Sequence, residues 1–379
     1  MSVSTRMLKQ DKSENSPLNI KPHPGFSDRA MRFYESYQLM DIIMVGDDRY
    51  SKRALRGYTT RTCFFCGRSH PEARFKTNAH LAPQLIGNSN LYSDFECDEC
   101  NQKFSELEGD LASFIGISRS IIGMGNEKKT VGFKGKRFTA KSRSFMGENI
   151  LIIAPEDIEY NNGTSTLKYT KNSYSPVAVY RSLLKTSLSL LGPEYVTKYC
   201  KVALNILMER IELTTGLAMC GYRLSLTTNL PFHVYQFRKK NASEKIHTDV
   251  FLYHFQNLII VFPVPLHADD IRLIDSDFHG IFPPPYFTND DNMKYALPVE
   301  FFKDFSAKPS IEDEEERIGF RLDESMYEKL VAYDTTTGEF VQKSFGENPT
   351  KYIILTKPGM TVDPKELSDF IQKEMEGKG

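Results

Sequence analysis

Cys63-Phe-Phe-Cys66 and Cys97-Asp-Glu-Cys100 are two Cys-x-x-Cys pairs in one chain, with His80 between them and Asn101 directly after the second. Four thiolates supplied two by two complete a closed tetrahedral zinc site, and no fifth ligand is needed. Zinc bound there would clamp the ends of the intervening segment and fix a unit too small to build a core alone. Iron would also accept four thiolates, so an iron–sulfur cluster is the second reading. In a reducing compartment such spacing means metal more often than disulfide. Cys200 and Cys220 lack it and read as buried thiols.

Reactive groups sit on this scaffold. His80 follows Phe75-Lys76-Thr77-Asn78-Ala79 and precedes Leu81-Ala82-Pro83, residues 84–93 are loop-like, and Asn101 stands at a helix start. The expected order is a strand carrying the histidine, a loop, a second strand and a helix. Hydrolysing a phosphodiester requires a base to deprotonate water and a divalent cation to neutralise charge on the leaving oxygen. A neutral histidine, with an ordinary pKa of about 6.5, suits the first task. An amide oxygen at a helix start suits a hard cation such as Mg²⁺. Around the first pair, Lys52, Arg53, Arg56, Arg61, Arg68, Arg74 and Lys76 face Glu72 alone. The first five are candidate DNA phosphate contacts; a plain solvated basic surface is the alternative.

Cys-x-x-Cys, Ala79-His80-Leu81-x-Pro83, Gly87-Asn88, Cys97-Asp98-x-Cys100-Asn101 and the trailing Phe104-Ser105-x-Leu107-Glu108-x-x-Leu111 together resemble the HNH endonuclease family, in its four-cysteine, zinc-containing branch. The resemblance implies a ββα-metal fold in which His80 is the first histidine and general base. It makes Asn101 the last motif position and a ligand of a catalytic Mg²⁺ or Mn²⁺, distinct from the structural Zn²⁺. The middle position is Asn88 or Asn90, which orients loop and base through hydrogen bonds; Asn88 is favoured by following Gly87. Many members carry Asp or Glu directly before the first histidine, whereas Ala79 stands here and a methyl group coordinates nothing. Glu108, on the helix face of Asn101, is the candidate extra ligand. The implied partner is DNA, and a double-strand break calls for a second active site, which a homodimer or higher oligomer would supply. Free-standing bacterial nucleases of this look commonly serve restriction or antiphage defence.

The expected fold class is α+β, a small zinc-stapled ββα-metal nuclease unit followed by a larger mixed α+β domain. The length of 379 residues favours two domains, and a net charge of −1 means that any nucleic-acid surface comes from local segregation of charge. Residues 1–25 are expected to be a flexible N-terminus and 26–117 the nuclease domain with a preceding helix. Residues 118–379 would bind DNA, oligomerise or sense a signal. No run approaches the ~20 apolar residues that span a bilayer, and Met1–Pro24 lacks the apolar stretch of a secretion signal; the expected location is the cytoplasm.

Helices are expected from Ser27 to near Gly46, over Lys103–Ile117, after Ser175-Pro176 and from Asp363-Pro364. Strands are expected over Ala218–Leu226, Phe232–Arg238 and the long apolar run Val250–Val264, with a hairpin at Asn161-Asn162-Gly163. Glu312–Glu316 reads as a solvated face or linker. Two other readings stay open: a non-catalytic zinc-containing nucleic-acid-binding protein, and a nuclease gated by a small-molecule nucleotide signal. For the second, residues 118–379 offer no Gly-rich phosphate loop.

Overall fold

The computed structural model describes residues 21–22, 27–44, 62–88, 91–118, 132–134, 139–145, 148–154, 158–161, 164–199, 201–211, 218–223, 232–255, 258–265, 270, 286–287, 299–306, 310–321, 331–334, 339–342, 353–355 and 363–375. In chain order its first elements are β1 (Lys21–Pro22), α1 (Ser27–Ser36), β2 (Tyr37–Met44), β3 (Ala79–His80), β4 (Tyr92–Ser93) and α2 (Asp98–Ile115). Five strands follow: β5 (Gly132–Lys134), β6 (Thr139–Phe145), β7 (Glu148–Ala154), β8 (Ile158–Asn161) and β9 (Thr164–Thr170). Then come α3 (Pro176–Leu191), α4 (Pro193–Tyr199), α5 (Lys201–Leu207), β10 (Ala218–Arg223), β11 (His233–Lys239), β12 (Asp249–Phe255) and β13 (Leu258–Val264). The chain closes with β14 (Tyr286–Phe287), β15 (Val299–Asp304), β16 (Glu315–Arg321), β17 (Val331–Asp334), β18 (Glu339–Gln342), β19 (Ile353–Leu355) and α6 (Pro364–Met375). The architecture is α+β. No helix among the described residues is long and apolar enough to cross a membrane.

A six-stranded sheet, ordered β15-β10-β13-β12-β11-β2, is the largest layer, and every neighbouring pair in it is antiparallel. Two expectations are corrected here. The helix expected to run to Gly46 ends at Ser36, and the chain turns extended as β2, with Tyr37 opposite Lys239 and Met44 opposite His233. The β-branched pair Ile42-Ile43 and an available sheet edge outweigh a helical period there. The run Val250–Val264 is two antiparallel strands, with Phe255 opposite Leu258. As one strand it would extend about 50 Å, well past its neighbours. Both strands are buried along their whole length, so they read as continuous apolar sequence without alternation.

Helix α3 lies against this sheet and explains how the smaller unit is held. Ser175 caps it by accepting from the Ala178 N–H, Pro176 occupies its first turn, and Gly192 ends it at φ 79°. Twelve of its sixteen residues are buried and none is fully exposed, which marks a largely interior helix. On one side the Tyr180 hydroxyl donates to the Pro263 carbonyl at 3.2 Å, and the Ser187 and Tyr253 hydroxyls are 2.9 Å apart. On the other lies α2, whose Phe104, Leu107, Leu111 and Phe114 are buried at the predicted spacing, and whose Asp110 accepts from the Ser175 N–H. One cluster of buried residues therefore runs from Cys63 and Phe65 through Leu111 and Leu184 to Phe262 and Val264.

The smaller sheets, β16-β9-β8 and β19-β7-β6-β5, are antiparallel, and Asn161 opposite Thr164 bears out the expected hairpin. The acidic run Glu312–Glu316 is not simply a solvated face. It enters β16, and strand alternation turns Glu314 and Glu316 inward. There Lys171, only 5% exposed at its side chain, lies 3.6 Å from Glu314 and 3.4 Å from Glu316, and Arg223 pairs with Glu316. In α6, Asp363 caps the first turn by accepting from the Lys365 and Glu366 N–H groups. Cys220 is buried as expected, while Cys200 lies outside the described residues.

Leu111 is fully buried where α2 meets the shared core. Leu111→Ala is expected to destabilise the protein by about 2–5 kcal/mol, read as a lower urea midpoint. An unchanged midpoint would mean that α2 is not packed as described.

Candidate active site and metal centre

The first Cys-x-x-Cys pair sits on a tight turn in which the Gly67 N–H donates to the Cys63 carbonyl at 2.8 Å. Gly67 has φ 77°, a conformation suited to glycine, which lets the chain fold back under the sulfurs. The second pair opens α2, with Cys97 as N-cap, its sulfur accepting from the Cys100 N–H at 3.4 Å. All four sulfurs lie within 4.8 Å of one another. Zn–S bonds of ~2.3 Å in a tetrahedron separate sulfurs by about 3.8 Å; Cys63–Cys100 and Cys66–Cys97 are 3.7 and 3.8 Å apart.

Proton chemistry at these sulfurs points the same way. Contact with Cys100 pulls the Cys63 thiol down to about 5, burial pushes Cys97 up to about 12, and the Cys63 partner drives Cys100 higher still. Four sulfurs this close cannot all ionise unless a cation compensates their charge. The donor set, spacing and charge demand fit zinc.

Between the pairs the chain forms the expected strand, loop and strand. β3 and β4 pair antiparallel, Ala79 opposite Ser93 and His80 opposite Tyr92. The intervening loop holds one 3-10 turn, Gln84–Ile86, ended by Gly87 at φ 98°. Asn88, 2% exposed, is the staple of this loop. Its amide donates to the carbonyls of Ala82 at 2.7 Å and Leu91 at 3.0 Å, and its oxygen accepts from the Leu91 N–H at 2.9 Å. Asn90 lies outside the described residues.

His80 is half-buried, its ring centroid 4.8 Å from that of Tyr92. Gln84 Nε2 is 3.2 Å from His80 Nε2. The direction of this hydrogen bond follows the tautomer of the imidazole, and the Gln84 amide can serve either one. Asn101 lies within the first turn of α2, half-buried, and the N-cap of that helix is Cys97. Its side-chain amide makes no hydrogen bond among the described residues, leaving its oxygen available to a cation. Ala79 is buried. Glu108 is half-buried, and burial raises its carboxyl above the usual range while Lys185 pulls it back.

Of the five candidate phosphate contacts, Lys52, Arg53, Arg56 and Arg61 lie outside the described residues. Arg68 is exposed, and its Nε donates to Cys66 Sγ at 3.4 Å. Sequence reasoning missed two charged residues at this site. Lys185, from α3, donates to the His80 backbone carbonyl at 2.5 Å and lies 3.1 Å from Glu96 Oε2, with the two side chains 3% and 0% exposed. Burial raises the Glu96 carboxyl, and Lys185 offsets part of that rise. The available signal was a single lysine inside the apolar stretch Leu183-Leu184-Lys185-Thr186.

Residues 63–110 match the HNH endonuclease family model. No curated protein and no solved structure matches the chain. The HNH segment coincides with both cysteine pairs, β3, β4 and most of α2, and it brings a nuclease-related function to the chain.

Purified protein is expected to carry a single zinc ion per chain, and Cys100→Ser to lose it together with thermal stability, by elemental analysis and melting. Full zinc retention in that variant would remove Cys100 from the ligand set. Asn88→Ala leaves two carbonyls and one N–H of the loop without their partner, an expected cost of about 1–3 kcal/mol in a denaturant titration.

Proposed function

We propose that this protein is a metal-dependent endonuclease that hydrolyses DNA phosphodiester bonds, with His80 as general base and Asn101 as a ligand of the catalytic cation. The observation that carries this reading is the HNH family match over a segment that folds as strand, loop, strand and helix around a four-cysteine cluster. His80 takes a proton from water, the water oxygen bonds to phosphorus, and the bond from phosphorus to the leaving oxygen breaks. A neutral imidazole, with an ordinary pKa of about 6.5, suits that task. Bound Mg²⁺ or Mn²⁺ would offset charge on the phosphate and leaving oxygen. The Asn101 amide oxygen would hold it, and Glu108 is the second candidate donor on α2. Asn88 keeps the loop shut behind the base. Arg68 and the basic residues Lys52, Arg53, Arg56 and Arg61 would bind the phosphate backbone.

Plasmid nicking with Mg²⁺ or Mn²⁺ tests the reading. Wild type is expected to cut, and His80→Ala and Asn101→Ala each to lose about 100-fold or more, the size of a missing general base. Cutting that survives His80→Ala would remove His80 as base. Plasmid binding by wild type without any cutting would favour the non-catalytic zinc protein.

A further inference from the structure

The contact between Lys185 and His80 joins a helix outside the HNH segment to the proposed base. β3 is only two residues long, so its ladder alone constrains the His80 backbone little. Lys185 Nζ is fixed from three directions: the His80 carbonyl at 2.5 Å, Glu96 Oε2 at 3.1 Å and the Phe104 ring, whose centroid is 5.8 Å away. Glu96 directly precedes Cys97, so the carboxylate that holds the lysine belongs to the chain anchored by the sulfurs. A buried ion pair is weak evidence for stability, because apolar residues of similar volume often serve as well or better. What the pair does fix is geometry, two buried charges held at one place beside β3. A lysine stem rooted on α3, its ammonium shared between this carboxylate and the His80 carbonyl, is a strut between α3 and the strand that carries the histidine.

We propose that Lys185 is a positioning residue for the nuclease centre: its ammonium, held by Glu96, fixes the backbone of His80 and so the direction of the imidazole. The inference rests on His80 being the general base. Lys185 is too buried to touch DNA, so its contribution lies in kcat and not in substrate binding. Partners that orient reacting groups are typically worth about 10- to 100-fold in activity.

The test is plasmid cleavage by the full chain, with kcat and KM measured for wild type, His80→Ala, Lys185→Met and the double variant Lys185→Met/Glu96→Leu. Zinc content and melting temperature are followed in each. Lys185→Met alone strands a buried carboxylate and is expected to melt lower. The double variant removes both charges and is expected to regain stability and zinc while kcat stays about 10- to 100-fold down at unchanged KM. Recovery of wild-type kcat in the double variant would reduce Lys185 to a structural residue and overturn the proposal. A raised KM with normal kcat would overturn it too. His80→Ala separates the two levels. If it still cuts, the assignment of the base fails; if it is inactive while Lys185→Met has normal kcat, only the positioning role fails.

Discussion

Four sulfur atoms within 4.8 Å of one another are the constraint on which the HNH segment depends. β3 and β4 are two residues each and offer little hydrogen bonding of their own. The cysteines tie the turn before β3 to the start of α2, and Cys97 also caps that helix. Asp98 adds a second tie, accepting from the N–H groups of Lys76 and Thr77 at 3.0 and 2.9 Å. Cysteine cluster, cap and backbone anchors thus act on the same few residues, which fixes where α2 begins and which turn carries Asn101.

The second constraint is the burial of α3 over most of its surface. Polar groups on an interior helix are costly unless they are partnered, and several of those on α3 bond to its neighbours. Tyr180 and Ser187 bond toward the sheet, while Lys185 bonds toward β3. The sheet side is rigid in its own right, with Arg238 held between Asp249 at 3.0 Å and the Tyr195 ring. The position of the histidine strand is therefore referred to the large sheet through one helix.

What the sequence revealed and concealed follows from the range of the interactions involved. The cluster of Cys63, Cys66, Cys97 and Cys100 and the HNH segment around it were legible because ligand and motif spacing are local and chemically specific. Helices α2 and α3 were legible because their apolar spacing, the Ser175 cap and Pro176 agree with one another. The strand β2 was hidden because Tyr37–Met44 has apolar residues compatible with either period, and the deciding partner, β11, lies far along the chain. The fold-back within Val250–Val264 was hidden for another reason: strands buried on both faces lose their alternation. Lys185 and Glu96 could not be paired from sequence, since nothing local relates a helix lysine to a glutamate so far upstream. The inward turn of Glu314 and Glu316 likewise needed Lys171 and Arg223 to be in place.

The continuous core has a consequence for how the HNH segment can be reused. From sequence, residues 63–110 look like a self-contained cassette. Here, however, a fragment ending after α2 would bare Phe104, Leu107, Leu111 and Phe114 and leave Glu96 a buried acid without its cation. Grafting the cysteine-bounded segment onto another protein would therefore transfer its metal ligands but not the surface on which they rest. A successful graft would have to carry α3 along, or supply a helix with a basic side chain at the same height.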